Sequence, residues 1–157
     1  MSEFYPLLDK NGLVRIPLRF YAVLLLLMRP FLVWIIVLTM PEGGDRFLAA
    51  IYPKANDFAT ACLIACPLLL VVMALSQRKE NSHKAWFKIW QYGRWIMFVV
   101  ACTDLIHTVS NWPNYMILKS PQMLAVPLFL LSSIMWLYSS EQLKLISKEW
   151  PETKKAK

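Results

Sequence analysis

The sequence predicts an all-α membrane protein, a four-transmembrane-helix bundle with short loops, both termini on the cytoplasmic side, and a helical cytoplasmic extension of the last span. Three observations carry this. Apolar residues make up 57% of the 157-residue chain, against roughly 45–50% in soluble domains. They are clustered: Phe20–Thr39 contains one charge, Arg29, Phe58–Leu75 none, Trp95–Ser110 one, Asp104, and Met123–Ser140 none. A spanning helix needs about 20 mostly apolar residues at about 1.5 Å rise, and four runs meet or approach that length. The cations, finally, are lopsided. Twelve lie in the segment before the first run (Lys10, Arg15, Arg19), the loop after the second (Arg78, Lys79, Lys84, Lys88) and the tail (Lys144, Lys148, Lys154, Lys155, Lys157). Three, Arg46, Lys54 and Lys119, lie on the opposite side. Cytoplasmic loops retain Lys and Arg, so the bias predicts N-in, C-in.

The expected layout is a single membrane domain, residues 1–157: a cytoplasmic cap at 1–17, spans at about 18–39, 58–75, 90–110 and 121–140, and a basic cytoplasmic tail at 141–157. In the cap, Asp9-Lys10-Asn11-Gly12 has turn chemistry, and Pro17 suits a helix start, where its missing N–H costs nothing. Span one carries Arg29-Pro30 near its centre, and proline predicts a kink there. The run is too long for a signal sequence and ends at Met40-Pro41-Glu42 without a small-residue cleavage site, so it is expected to stay in the membrane. Loop one, Met40–Asp57, is the longer outer loop, broken by Gly43, Gly44 and Pro53, with Asn56 or Asp57 able to N-cap span two. Pro67 predicts a second kink. Trp86, Phe87, Trp90, Tyr92 and Trp95 crowd the start of span three and read as an interfacial aromatic belt. Ser120-Pro121 resembles an N-cap followed by proline at the first helical position, opening span four. That span is expected to run on past Ser140 into the amphipathic stretch Glu141–Lys148, with Pro151 as its stop.

Two polar residues sit where lipid should be. Arg29 is 11 residues from Leu18, about 16 Å into the helix. An arginine at that depth costs somewhere between about 3 and more than 10 kcal/mol without a partner or water. Asp104, 14 residues from Trp90, lies about 21 Å from the other end of its helix, an axial offset of about 5 Å from Arg29. Gly93, Met97, Val100, Ala101, Asp104, Thr108 and Asn111 share one stripe of span three by their spacing. Small and polar residues mark a helix–helix interface, so Asp104 is expected to face Arg29 inside the bundle, and a bidentate pair is the strongest form of that contact. His107, one turn on, extends the candidate polar site to Arg29, Asp104 and His107. Such a pair serves either as a pin for helix register or as part of a proton, ion or anion path; a lone pair that neutralises itself favours the pin.

The N-terminal pattern Asp9-Lys10-Asn11-Gly12-Leu13-Val14-Arg15-Ile16-Pro17, followed by a span with a central arginine, resembles the YfeZ-like family of small bacterial inner-membrane proteins, a domain of unknown function. The resemblance implies a bacterial inner membrane and four spans, and brings no activity or catalytic residue with it.

Cys62, Cys66 and Cys102 fall inside spans and read as small apolar fillers. His83 and His107 are too far apart for one metal or haem, and no catalytic, metal or cofactor motif stands out. The net charge of +7 is a topology signal and an attraction to anionic headgroups, with no nucleic-acid footprint. Arg94, Lys154, Lys155 and Lys157 are the candidate contacts to headgroups or to a membrane-protein partner. The function expected is a non-enzymatic accessory or assembly subunit, alone with lipid or held in a homo-oligomer or hetero-complex. The alternative is a small transporter or channel component using Arg29 and Asp104.

Overall fold

A computed structural model describes residues 15–40, 42–52, 54–78, 83–111 and 124–150. The expected turn at Asp9–Gly12, the start of span four at Ser120-Pro121 and the basic tail lie outside these residues. All seven elements among them are helices: α1 (Leu18–Leu27), α2 (Arg29–Thr39), α3 (Gly44–Ile51), α4 (Ala55–Ser76), α5 (Lys84–Ser110), α6 (Ala125–Ser139) and α7 (Glu141–Lys148).

The first apolar run is two helices, not one kinked helix. They meet at Met28 and are inclined by 66°. Pro30 explains the break: inside a continuous helix it would lack an N–H and press on a preceding carbonyl. With α2 starting at Arg29 it falls in the first turn, where no intrahelical partner is needed. Pro67 lies within α4, which continues through it as a single helix. That helix starts at Ala55 with Lys54 as its N-cap and no side-chain cap, so Asn56 and Asp57 sit in the first turn instead of capping it. Loop one is also more ordered than its breakers suggested. Gly43 takes φ +86°, a left-handed conformation that suits glycine, and turns the chain into α3.

Packing centres on α5, whose long side is lined by α4, α6, α1 and α7. The α4–α5 seam is made of small and medium residues: Ala61, Ala65, Leu68, Val71 and Ala74 meet the stripe of Gly93, Met97, Val100, Ala101 and Asp104, all buried. Large apolar side chains point outward, among them Leu63, Leu70 and Met73 on α4 and Trp95, Val99 and Ile106 on α5. This is the reverse of a water-soluble helix, whose outer face is polar. It matches helices that pack closely through small residues while their bulk meets lipid.

Helix α4 is long and apolar enough to cross a membrane by length and composition, and α1 with α2 makes a second candidate if the bent pair acts as one span. The four-span expectation goes further than this. At 27 residues α5 is long enough but carries Arg94, Asp104 and His107, and α6 has 15.

At the end furthest from the α2–α3 corner, Trp90 is 4% exposed and its indole Nε1 donates to the Ile146 carbonyl at 2.9 Å. Of the aromatic residues at the start of α5, Trp90 thus turns toward the protein: it packs on Phe20 and lies under the Arg78 guanidinium, 5.4 Å from the ring centre. The last helix does not run on from α6 either. Ser140 is extended, with ψ 108°, and its hydroxyl accepts from Leu143 N at 3.3 Å. A serine cap restarts the chain as α7, with Leu143 and Ile146 buried against α5.

Two glycines separate close approach from convenience. A Cβ at Gly44 would lie 2.9 Å from the Val37 carbonyl oxygen, so Gly44→Ala is expected to destabilise by about 1–3 kcal/mol through overpacking. A Cβ at Gly93 would meet Val71 at an ordinary 3.7 Å, so Gly93→Ala should be neutral or gain about 0.5–1 kcal/mol from helix propensity. Thermal unfolding of both variants in detergent checks the contrast.

Candidate functional site

Arg29 is the first residue of α2, so the chain break delivers its side chain into the angle between the two half-helices. There α5 presents Asp104, 6% exposed. Arg29 Nη2 donates to Asp104 Oδ1 at 3.0 Å and to Thr108 Oγ1 at 3.2 Å. The side chains are 23% and 8% exposed respectively, so neither end of the pair is fully solvated.

The contact is not the bidentate fork expected from the sequence. One guanidinium nitrogen serves both α5 partners, leaving Asp104 Oδ2 buried with no protein hydrogen-bond partner. A buried acceptor so left costs about 1–3 kcal/mol, more when charged. The two-partner arrangement still fixes register, since Asp104 and Thr108 are one turn apart and only one axial position of α2 reaches both.

The structure brings Arg29 and Asp104 together and adds Thr108, which the stripe on α5 had placed on the same face. His107 is half-buried and within electrostatic reach of Asp104, but among the described residues no hydrogen bond joins it to Arg29 or Asp104. Tyr52 is the member that sequence reasoning missed. It caps α3, its ring lies 5.4 Å from Phe58, and its buried hydroxyl sits in the field of Arg29 and Asp104. Burial pushes the phenol above its ordinary pKa, only partly opposed by the nearby Arg29 charge and by a side-chain hydrogen bond with Arg29. Tyr52 therefore stays protonated and can donate as well as accept. Nothing in Ile51-Tyr52-Pro53 marked it.

Arg94 stands apart, ten residues before Asp104 on α5, about 15 Å along the helix. Its guanidinium lies 5.5 Å from the Trp95 ring and makes a long 3.5 Å contact to the Tyr138 carbonyl, so it joins α5 to α6. Lys154, Lys155 and Lys157 lie outside the described residues. Cys62 and Cys102 are half-buried and Cys66 is exposed, all three as free thiols. Among the described residues no group of His, Cys, Asp and Glu could hold a metal ion.

Residues 5–149 match the family described as "Protein of unknown function (DUF2919)". The chain belongs to that family. It is also similar to the inner membrane protein YfeZ of Escherichia coli (strain K12), with 24% identity over 148 residues, covering 91% of this chain and 93% of the relative. The YfeZ-like resemblance carried by the N-terminal pattern thus extends over most of this DUF2919 member. No solved structure matches it.

Removing one side of the pair strands the other. Arg29→Ala and Asp104→Ala should each destabilise by about 3–5 kcal/mol, with Asp104→Ala the worse because a guanidinium stays charged. Arg29→Leu with Asp104→Leu should recover much of that loss. Thermal unfolding in detergent, read as a double-mutant cycle, checks this; additive losses would show that the pair contributes no coupling.

Proposed function

We infer that this DUF2919 protein is a multi-pass protein of the bacterial inner membrane with both termini cytoplasmic, and that it acts as a non-enzymatic accessory or assembly subunit by binding another membrane protein sideways. The proposed spans are α1 with α2, α4, α5, and the run that includes α6. The cation bias supports the orientation, and the relative's name supports the compartment.

The observation that carries the partner reading is the position of α6. It buries Pro127, Leu130, Ser133 and Leu137, and its principal neighbour is α5. Its outer side is an open groove lined by Leu128, Leu131, Ser132, Met135, Trp136 and Ser139. In lipid the hydrophobic effect does not draw helices together, so small hydroxyl residues that permit close approach supply association. Ser132 and Ser139, seven residues apart and both exposed, lie on one side of the groove. A partner's transmembrane helix fits such a surface.

The break at Met28 favours a second reading, a transporter or channel component. Interrupted helices with charged groups at mid-depth recur in transport proteins. Against it stands the mutual neutralisation of Arg29 and Asp104.

Purification of the full chain in mild detergent separates the two. A stoichiometric second protein, lost when Ser132 and Ser139 are changed to Leu, supports the accessory reading; a pure homo-oligomer supports the transport reading. Topology is tested separately. Reporter fusions at Ser76–Ser82 and after Lys157 should report cytoplasm, and fusions within Gly43–Lys54 and Asn114–Ser120 the outer side. An outer-side signal after Lys157 would overturn the span count.

A further inference from the structure

At the end of the bundle assigned above to the cytoplasm, α5 and α7 bring exposed cations to one depth. Arg94 lies ten residues from Asp104, about 15 Å along α5. Half of a bilayer's hydrocarbon core is also about 15 Å, so with the ion pair near mid-depth Arg94 stands where acyl chains give way to phosphates. Helix α7 starts beside it, since Arg94 touches the Tyr138 carbonyl. The ring contact of Trp150 with Phe87 carries its far end seven residues, about 10 Å, further outward. Helix α7 therefore crosses the headgroup layer. Arg94 and Ser147 line one crevice there, together with Phe20, Gly93 and Leu143. The crevice has about 10 Å³ of room, enough for one water at most, so anything larger docks across its mouth.

That mouth is basic. At about 100° per residue, Lys144 and Lys148 follow Ser147 round α7, away from the buried Leu143 and Ile146, and both are exposed. They are four residues apart and share that flank. Glu141 lies on the same flank and is exposed, whereas Glu149 falls on the opposite one. Arg94, Lys144 and Lys148 less Glu141 leave a net charge of +2. The guanidinium is held over the Trp95 ring, and its 3.5 Å contact to Tyr138 is at the weak limit of hydrogen bonding, so an anion competes well for it. An arginine offers a phosphate two parallel donors, and lysines add point charges. We propose that Arg94, Lys144 and Lys148 form a docking surface for the headgroup of an anionic phospholipid in the cytoplasmic leaflet, its phosphate on Arg94 across the α5–α7 mouth. Charge complementarity selects this occupant, because the surface of that leaflet is negative. A bound lipid ties α7 to α5 from outside, as the Trp90–Ile146 bond ties them from within. The inference goes beyond the accessory reading and rests only on the cytoplasmic orientation proposed above.

The test is native mass spectrometry of the full chain released from nanodiscs that hold phosphatidylcholine and phosphatidylglycerol in equal amounts. Nanodiscs present the same lipids on both faces, so the result stands apart from the orientation, which the reporter fusions decide. At about fivefold per unit of charge, retained phosphatidylglycerol should exceed phosphatidylcholine by about twentyfold; equal retention overturns the proposal. Lys144→Gln with Lys148→Gln changes two exposed helical positions to another good helix former, so helix content should hold while the preference falls at least about fivefold. An unchanged preference overturns the proposal. Arg94→Lys keeps the charge but loses the paired donors, and should lower the preference about threefold, which a diffuse positive field would not do. Lys154→Gln with Lys155→Gln takes the same charge from the tail and should cost less than about twofold. An equal loss there overturns the proposal, since the basic face as a whole would then attract the lipid. Inorganic phosphate in large excess should leave the lipid bound; its displacement would make free phosphate the ligand and overturn the lipid assignment.

Discussion

An arginine cannot be left alone among apolar helices, and the partner it finds decides how those helices lie. In this chain the constraint runs from Arg29 to α5. Proline at position 30 breaks the first apolar run, the break turns α2 by 66°, and the turn carries the guanidinium to Asp104 and Thr108. With α2 held there, Thr39 and Met40 are delivered to the Gly43–Gly44 corner. Gly44 then backs onto Val37, and α3 returns so that Tyr52 reaches the same ion pair. Each step leans on the one before, and the chain of dependence ends where it began.

Helix α5 is the other fixed element. Its small-residue stripe receives α4, its polar end receives Arg29, and its first turns hold α7 through Trp90. Charges of this kind stabilise poorly by themselves, because desolvation offsets most of the Coulombic gain. What they contribute is uniqueness. Apolar helices in lipid slide at little cost, since one leucine meets another much as it meets an acyl chain. A guanidinium shared between a carboxylate and a hydroxyl one turn apart allows one register.

Much of this was legible in the sequence because it rests on coarse chemistry. Uninterrupted apolar runs gave helices, and α4 departs from its expected bounds by only a few residues. The stripe from Gly93 to Asp104 could be read from spacing alone, and with it the meeting of Arg29 and Asp104. The remainder hinged on single hydrogen bonds that composition does not encode. Trp90 has the same amphipathic ring as its neighbours and is buried only because the Ile146 carbonyl lies within reach of its indole. Ser140 differs from Ser139 in nothing but its backbone angle, yet it separates two helices where hydropathy runs on unbroken. Tyr52 looked like loop. Its role depends on a short helix, α3, that eight residues between a glycine pair and a proline did not announce. The form of the ion pair, one nitrogen to two acceptors instead of a matched fork, is likewise set by helix tilt and not by residue identity.

The restart at Ser140 has a mechanical consequence. Because the chain is extended there, α7 is hinged to α6 through one residue, while the Trp90–Ile146 bond and the burial of Leu143 and Ile146 weld it to α5. The C-terminal segment is therefore a lever attached to the central helix, not a handle on the last one. Force applied to α7 is transmitted first to the rod that holds Asp104, and reaches α6 only through that rod or the single residue Ser140.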